Sequence, residues 1–498
     1  MGIARHFPFE RRAFAATLLA GICIAAYFGH QARFSLRAEF TGDDLMNCWG
    51  AVFKPLAAHI QDCILFFRPS GSFRPFPALV YRAAFHFSGF NLFPLRVLLL
   101  VAMGFNVLLT YLFARRLTAS REVGALAALL GAYNVNLAVF YFNTGFLYDI
   151  FCFFFYFSAL VFYLRIRQAG RLLRWYELAA FCALYALALD SKELAVSLPV
   201  AIAAWELLFN PPARRLGPLL RWQYRELLPV WITATMTAAF IFGRVFVKGG
   251  LPGIEPYAVT ISPAVYLRNT GRFLNELFYA GNFFTAPKTL AFLLLLLALA
   301  VLARSRRLVL CWLLYFAGVL PVAFIAQRGL ASAWLPTAGL LGYAAILAVS
   351  LRDAILTWLR RTLWRPAGQV LLFLFAACFM IEVHPGNRHL LYAWQAEYSS
   401  IREVRESFQK LCPVIKPHST VLIVTDPLDG TFATVFLIHL LYRDSSIIIN
   451  QLFRFDKPPG REQWAGYDYI FDFVNGKLVR LNPADYAPRS LPGPPVRR

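Results

Sequence analysis

Residues 13–47 read AFAATLLAGICIAAYFGHQARFSLRAEFTGDDLMN, an apolar segment followed by a polar loop with two adjacent acids, Asp43 and Asp44. The apolar run over residues 13–28 is long enough, with its flanks, to cross a bilayer. Two neighbouring carboxylates at a membrane surface repel each other and lose solvation unless a cationic group uses them. A simple membrane anchor needs no such pair. We therefore expect the chemistry of the protein to lie in the outer loop of residues 29–93.

The composition is that of a membrane protein, since 59% of the 498 residues are apolar, 16% are aromatic and only 15% are charged. Soluble globular chains are about half apolar and about a quarter charged. The net charge of +22 is explained by Arg-rich loops between apolar segments. The sequence therefore predicts an all-α polytopic membrane protein whose partner is the lipid bilayer, and it excludes nucleic-acid binding.

Eleven apolar segments predict membrane-spanning helices: residues 13–28, 94–113, 122–141, 146–164, 175–190, 194–209, 227–246, 289–303, 308–326, 334–351 and 369–382. Alternate connections are rich in Arg, such as ARRLTASR at residues 114–121 and RIRQAGRLLR at residues 165–174. Lys and Arg favour cytoplasmic loops. The predicted topology therefore has the N-terminus inside, as an uncleaved signal anchor, and the C-terminus outside.

The composition changes at residue 383, and residues 383–498 predict a small extracytoplasmic α/β domain. STVLIV at residues 419–424 and SSIIIN at residues 445–450 are typical of strands, with a helix from Thr431 between them. Residues 467–481 predict a hairpin with an Asn-Gly turn. The domain organisation is therefore a transmembrane domain over residues 1–382 followed by this domain.

The segment TDPLDG at residues 425–430 follows the first predicted strand of that domain. The ends of strands in α/β folds often bind ligands. The alternative is a strand-to-helix turn in which Asp426 or Asp429 caps the helix, and we favour this structural interpretation.

The eight cysteines are scattered, and no spacing of Cys and His indicates a metal site. Cys48 and Cys63 share the first outer loop. A disulfide between them is one possibility, but disulfide geometry is strict and the sequence does not give their separation.

Acids and cations gather at the predicted outer ends of the spans. They are Asp43, Asp44, Arg68 and Arg74 in the first loop, Tyr148 and Asp149 in NTGFLYDIF, Asp190, Lys192 and Glu193 in LDSKELAVSLP, and Arg328 in AQRGLASAWLP. A carboxylate can take a proton from an attacking hydroxyl, while cations neutralise the charge that builds on a departing phosphate. The ensemble therefore favours transfer from a phosphate-linked donor.

Each of these groups also has a structural interpretation. The alternatives are a helix cap for Asp43 and Asp44, lipid-headgroup contact for Arg68 and Arg74, a cap or a Lys192 contact for Asp149, and mutual neutralisation for Lys192 and Glu193. Asp190 is better interpreted as structural.

Together these segments resemble the GT-C superfamily of integral membrane glycosyltransferases over roughly residues 10–350. The similarity is to the branch that contains protein O-mannosyltransferases and the bacterial aminoarabinose-to-lipid-A transferase. Its marks are the acidic pair in TGDDLMN, the segment SKELAVSLPVAIAAWELL at residues 191–208, and RGLASAWLPTAGLLGY at residues 328–343. In the last segment Trp334 and Thr337 replace the usual Tyr and Ser.

The resemblance implies a polyprenyl-phosphate-linked sugar as donor, attacked with inversion on the extracytoplasmic side of a bacterial inner membrane. By that analogy Asp43 or Asp44 is the catalytic base, and Lys192 and Arg328 hold the donor phosphate. Arg68 and Arg74 are further phosphate-binding candidates, and the supporting residues are Asp149, Tyr148 and Glu193.

The amphipathic stretches of residues 45–66 and 76–90 are expected to lie along the membrane surface over the site. Some members of the superfamily need a divalent metal and others do not, so we predict no specific metal. The tetratricopeptide repeats of the similar mannosyltransferases are absent. The acceptor is therefore left open between a lipid, an envelope glycan and a protein.

The alternative function is a transporter or flippase of a lipid-linked or anionic solute. Transporters place charged residues near the bilayer midplane and often show repeated halves. Here the acids cluster at span ends, which favours the glycosyltransferase. A scaffolding protein whose active part is the C-terminal domain is a third possibility.

Overall fold

A computed structural model describes residues 18–26, 29–30, 35–36, 39–68, 74–132, 139–212, 216–243, 259–325, 328–361, 364–383, 388–428, 432–474 and 477–486. Residues 18–26 are helical. The helices that follow are α1 Gly42–Val52, α2 Leu56–Ile64, α3 Pro75–Ser88, α4 Phe93–Thr118, α5 Arg121–Ala132, α6 Val139–Phe142, α7 Leu147–Gln168, α8 Trp175–Ser191, α9 Leu198–Phe209, α10 Leu216–Arg225, α11 Leu228–Ile241, α12 Pro263–Phe278, α13 Ala286–Leu302, α14 Arg306–Ala323, α15 Trp334–Trp358, α16 Arg365–Val383, α17 Arg388–Leu411 and α18 Ala433–Tyr442. Short 3₁₀ turns at Thr144–Phe146, Glu193–Ser197 and Leu330–Ala333 lead into α7, α9 and α15.

Within the described residues, four helical segments are long and apolar enough to cross a membrane: Phe93–Thr118, Thr144–Gln168, Arg306–Ala323 and Leu330–Trp358. Shorter apolar helices accompany them, and the described parts of the predicted spans are helical, apart from one or two residues at some of their ends. Residues 13–17, 27–28, 133–138, 244–246 and 326 of these spans lie outside the described residues. The protein is therefore an integral membrane protein of mainly helical structure. The total of eleven spans and the orientation of the termini stay predictions.

The membrane helices pack closely where small residues face a neighbour. A Cβ on Gly339 of α15 would lie 2.7 Å from the carbonyl oxygen of Cys311 in α14, and one on Gly318 would lie 2.7 Å from Pro336 Cβ. Small residues at such crossings let helix backbones approach, which is the usual way that membrane helices gain packing contacts. Helices α14 and α15 are therefore held backbone to backbone.

Ion pairs hold the end of the bundle where α7 finishes. Glu206 of α9 accepts hydrogen bonds from Arg167 Nε at 2.7 Å and from the Tyr163 hydroxyl at 2.6 Å. A second ion pair joins Glu122 of α5 to Arg352 of α15. Since α7 and α8 pack as consecutive helices, the first turn of α7 and the last turn of α8 lie together at the opposite end of the bundle.

The two amphipathic stretches of the first loop are helical, as expected, and form α1 to α3. The sequence did not predict α12, whose residues are too polar to suggest a span. Cys63 lies in α2, and Cys48 is buried in α1, where its thiol is free. The possible disulfide between them is therefore not formed.

The C-terminal segment contains a four-stranded sheet in the order β2-β1-β3-β4, with strands β1 Thr420–Ile423, β2 Ile448–Gln451, β3 Tyr469–Val474 and β4 Lys477–Leu481. Strand β1 is parallel to β2 and β3, and β3 and β4 form the predicted antiparallel hairpin. The hairpin turn at Asn475 and Gly476 lies outside the described residues, as do Asp429 and Thr431.

The turn after β1 is held by Asp426 as we favoured, but Asp426 does not cap helix α18, whose N-cap is Phe432 and has no side-chain cap hydrogen bond. Asp426 accepts hydrogen bonds from the Leu428 backbone N–H and the Thr434 hydroxyl, both at 2.7 Å, and from the Gln451 side chain. Its carboxylate is thus fully used in holding the turn. Helix α18 begins at Ala433, two residues after the predicted start.

Candidate active site

Helix α1 begins with the acidic pair, and its first turn fixes the two acids differently. Thr41 is the N-cap, and its hydroxyl accepts from the Asp44 backbone N–H at 3.1 Å. The Asp44 carboxylate in turn accepts from the Thr41 backbone N–H at 2.9 Å. This reciprocal capping box satisfies two N–H groups that otherwise have no partner in the helix. The cap interpretation therefore applies to Asp44.

The Asp44 side chain is completely buried and is bonded to the membrane bundle as well. Its other carboxylate oxygen accepts from the Tyr81 hydroxyl of α3 at 3.2 Å and from the Thr144 hydroxyl beside α7. Burial raises the pKa of Asp44 above its ordinary value. The charge of Arg96 and the hydrogen bonds from Thr144 and Thr41 oppose this rise but do not cancel it. Asp44 thus fixes α1 to α3 and to the turn before α7.

Asp43, in contrast, is exposed at the N-terminus of α1. Its Cβ lies 3.3 Å from the position that a Cβ on Gly145 would occupy, so the side chain lies directly over the turn Thr144–Phe146. Asn143 shapes that turn by accepting from the Gly145 N–H at 2.7 Å. Of the two acids, Asp43 is therefore the one that a substrate can reach.

Arg74 lies at the start of α3 and joins two of the predicted supporting residues. Its guanidinium contacts both carboxylate oxygens of Glu193 at 3.2 Å and lies 4.8 Å from the ring centroid of Tyr148. Burial lowers the pKa of Arg74, but Glu193, Tyr148 and Asp149 together raise it above its usual value. Arg74 consequently keeps its positive charge in a partly enclosed place.

A second cation lies one residue before Glu193. Lys192 ends α8 and forms an ion pair with Asp149 in the first turn of α7, and both residues are buried. The side chains of Arg74 and Glu193 are more open, each 28% exposed. Arg74 is therefore the more accessible cation. Because each cation has an acidic partner, the charges of the site nearly balance.

Comparisons with known proteins support the GT-C resemblance. Residues 69–238 match the family model described as dolichyl-phosphate-mannose-protein mannosyltransferase, a range that includes Arg74, Tyr148, Asp149, Lys192 and Glu193. The crystal structure of ArnT from Cupriavidus metallidurans in the apo state superposes with a TM-score of 0.51 at 14% identity, covering 92% of this chain and 93% of that one. The chain has an ArnT-like fold.

A second ArnT structure from the same organism, bound to undecaprenyl phosphate, gives a TM-score of 0.49 at 14% identity over 92% of this chain and 93% of that one. A search of curated proteins gives no match. The acidic pair lies before the range that the family model covers.

The other two predicted phosphate ligands are Arg68 and Arg328, which lie after α2 and before the turn that leads into α15. Arg68 donates to the Gln61 side chain at 2.6 Å at the end of α2. Arg328 is half-buried before the turn Leu330–Ala333, whose first N–H donates to Glu276 of α12 at 2.6 Å. Both remain predictions as phosphate ligands.

Sequence reasoning missed four residues that build the site. Arg96 is buried near Asp44 and donates to the Glu39 carbonyl at 2.8 Å. Tyr81, Thr144 and Gly145 hold or flank the acidic pair. An Arg inside the apolar stretch FPLRVLLL is a signal that would have identified Arg96, because an unpaired charge there is costly.

The site has few side chains that could bind a metal ion. Among the described residues, no group of three or more His, Cys, Asp or Glu side chains lies close enough together to hold a metal ion. Asp43 and Asp44 do not converge, because Asp44 points into the bundle and Asp43 is exposed.

Proposed function

We propose that the protein is a glycosyltransferase that moves a sugar from a polyprenyl-phosphate-linked donor to an acceptor on the extracytoplasmic face of the membrane. The observation that carries the proposal is the exposed Asp43 beside the paired charges of Arg74, Glu193, Asp149 and Lys192 at one end of the bundle. The description of the family that residues 69–238 match, a mannosyltransferase that uses a dolichyl-phosphate sugar, supports the donor class.

In the proposed reaction the acceptor hydroxyl oxygen bonds to the anomeric carbon of the sugar. Asp43 takes the proton of that hydroxyl as general base. The bond between the anomeric carbon and the phosphate oxygen breaks, and its electron pair leaves with the polyprenyl phosphate. Attack opposite the leaving group inverts the anomeric centre, whether the sugar is a hexose or a pentose.

Arg74 is the best placed of the predicted cations to meet the departing phosphate. Its planar guanidinium can hold two phosphate oxygens, and it is more exposed than Lys192. Lys192 is buried and paired with Asp149, so it adds positive charge to the site without being exposed. The pair also keeps α7 and α8 together. Glu193 and Tyr148 orient the Arg74 guanidinium.

The geometry is less suited to the alternative, a transporter or flippase. Coupled transport uses charged groups near the midplane of the membrane. The charges assembled here lie at helix termini, at the start of α1 and α7 and the end of α8. We place the site on the periplasmic side of a bacterial inner membrane, with a lipid, glycan or protein acceptor.

The testing experiment is a transfer assay with membranes that contain the wild type, Asp43→Asn or Asp456→Asn. Asp456 is also exposed but lies in the C-terminal domain, so it provides a matched control. A panel of radiolabelled polyprenyl-phosphate sugars serves as donors. Transfer by the wild type and Asp456→Asn but not by Asp43→Asn is expected. Equal transfer by all three would overturn the proposed role of Asp43.

A further inference from the structure

The C-terminal domain packs directly on the helix that carries Asp43. Its helix α18 meets α1 along one stripe of residues Gly42, Trp49 and Phe53, which are spaced by seven and four positions and so lie on one helix face. A Cβ on Gly42 would lie 3.6 Å from Ala433 Cβ, and the Trp49 ring lies 5.4 Å from that of Phe436. The contact therefore runs along the whole of α1.

The stripe contains one directional bond. Trp49 Nε1–H donates to Nδ1 of His439 at 2.9 Å, and the other imidazole nitrogen, Nε2, lies 2.8 Å from the Ile447 carbonyl. An indole nitrogen only donates and a carbonyl only accepts. Nδ1 of His439 therefore accepts and Nε2 donates, and the ring connects α1 to the segment before β2. Its side chain is buried at 7% exposure.

A second attachment lies just before α1. Glu39 forms ion pairs with Arg402 at 2.9 Å and Arg405 at 3.1 Å, both on α17. The Arg405 guanidinium also lies 5.3 Å from the Phe90 ring centroid. The C-terminal domain thus holds the chain on the approach to α1 as well as along α1.

Helix α1 is therefore held from two directions. Asp44 attaches its first turn to α3 and to the turn before α7, and α18 supports its opposite face. Asp43 is the exposed residue between these two attachments. A helix fixed at only one side is free to tilt, and a shift of about 1 Å at a reacting group can lower a rate by about a hundredfold.

We propose that the C-terminal domain is a positioning part of the catalytic site, and that the hydrogen bond from Trp49 to His439 holds α1 so that Asp43 reaches the acceptor. The inference rests on the proposed function, because it assigns a role for the domain in that reaction. Trp49 and His439 are positioning residues, since neither contacts the site itself.

The test compares steady-state kinetics of four variants with the polyprenyl-phosphate sugar that the wild type uses. Trp49→Phe keeps an aromatic ring and removes the donor. Trp205→Phe is its control, because the buried Trp205 indole nitrogen has no hydrogen-bond partner among the residues that the structure describes. His439→Asn places an oxygen where Nδ1 accepts from Trp49. His439→Gln places its amide near the position of Nε2 and leaves Trp49 without the acceptor that Nδ1 provides.

The expected result is a fall in kcat of about tenfold in Trp49→Phe and His439→Gln with an unchanged KM for the donor. Trp205→Phe and His439→Asn retain wild-type kcat.

A cross-link separates positioning from a general loss of stability. The Gly42 and Ala433 positions have the Cβ separation that a disulfide needs, so Gly42→Cys/Ala433→Cys can lock α18 to α1 when oxidised. Introduced into Trp49→Phe, the oxidised lock is expected to restore kcat, and reduction is expected to abolish the recovery.

The outcomes distinguish this inference from the proposed function. Wild-type kcat in Trp49→Phe, with Asp43→Asn inactive, would overturn the positioning role and leave the glycosyltransferase standing. A kcat loss that the oxidised lock does not reverse would also overturn it. Transfer by Asp43→Asn equal to the wild type would instead remove the role of Asp43 on which the inference rests. No transfer by the wild type from any donor would remove the proposed function itself.

Discussion

Asp43 and Gly145 lie so close across α1 and the turn before α7 that a Cβ on Gly145 would lie 3.3 Å from the Asp43 Cβ. The same Cβ would lie 2.7 Å from Asn143 Oδ1, which accepts the Gly145 N–H. A side chain at position 145 would therefore crowd both Asn143 and the exposed acid. The contact joins the first outer loop to the membrane helix that carries Tyr148 and Asp149.

Gly145→Ala is expected to lower transfer because the added methyl displaces the Asn143 side chain and pushes against Asp43. A displacement of a few tenths of an ångström to 1 Å predicts a loss of roughly ten- to a hundredfold in kcat. Gly104→Ala is the control, because a Cβ there meets no atom of the described residues within 4 Å. Equal kcat in the two variants would show that the contact does not position Asp43.

Asp44→Ala and Asp43→Ala are expected to differ in stability. Asp44→Ala removes the cap of α1 and leaves the buried Tyr81 and Thr144 hydroxyls without their acceptor, which costs about 2–4 kcal/mol. Asp43→Ala removes an exposed side chain and changes stability by less than about 0.5 kcal/mol. Thermal unfolding in detergent checks both values. A larger loss of stability in Asp43→Ala would reverse the assigned roles.

Lys192→Met is expected to destabilise the protein by about 3–5 kcal/mol, because it leaves the Asp149 carboxylate buried without its cation. The double variant Lys192→Met/Asp149→Leu has no unpaired charge and is expected to recover most of that stability. If Lys192 also supports the phosphate, the double variant stays inactive although it folds. Recovery of transfer along with stability would assign the pair a structural role alone.

The ion pair of Arg74 and Glu193 predicts a pH dependence of stability. Burial raises the pKa of Glu193, but the charges of Arg74 and Lys192 lower it by more than burial raises it. The pKa of Glu193 therefore lies below the ordinary value of 4.5. The unfolded chain therefore takes up the proton first as the pH falls. The stabilisation is present above about pH 4.5 and is lost as the pH falls through the folded-state pKa.

The melting temperature of wild type and Glu193→Gln measures this effect. At pH 7 the wild type is expected to melt about 2 °C higher, and the two curves are expected to meet under acid conditions. Glu462→Gln makes the same change at an exposed acid of the C-terminal domain, so it serves as the control, with no change at either pH. A difference between wild type and Glu193→Gln that persists at low pH would contradict the assignment.

The sequence predicted the membrane helices, the surface helices of the first loop and the small C-terminal sheet, because apolar length, amphipathic spacing and strand patterns are local properties. It also predicted that charged residues at span ends belong together. Arg74, Tyr148, Asp149, Lys192 and Glu193 do meet.

The different environments of Asp43 and Asp44 were not predictable from the sequence. They depend on Thr144, one hundred positions after Asp44, which bonds Asp44 and leaves Asp43 exposed. Long-range contacts of this kind leave no local pattern. The bond from Trp49 to His439, separated by 390 positions, is another example.

The most direct test of the central claim measures donor binding and sugar transfer in the same preparation of Asp43→Asn. In the proposed reaction Asp43 acts on the acceptor hydroxyl, whereas Arg74 faces the phosphate. We therefore predict that Asp43→Asn binds the radiolabelled polyprenyl-phosphate sugar like the wild type but transfers none of it, and that Arg74→Gln binds it weakly. Transfer by Asp43→Asn at the wild-type rate would contradict the account.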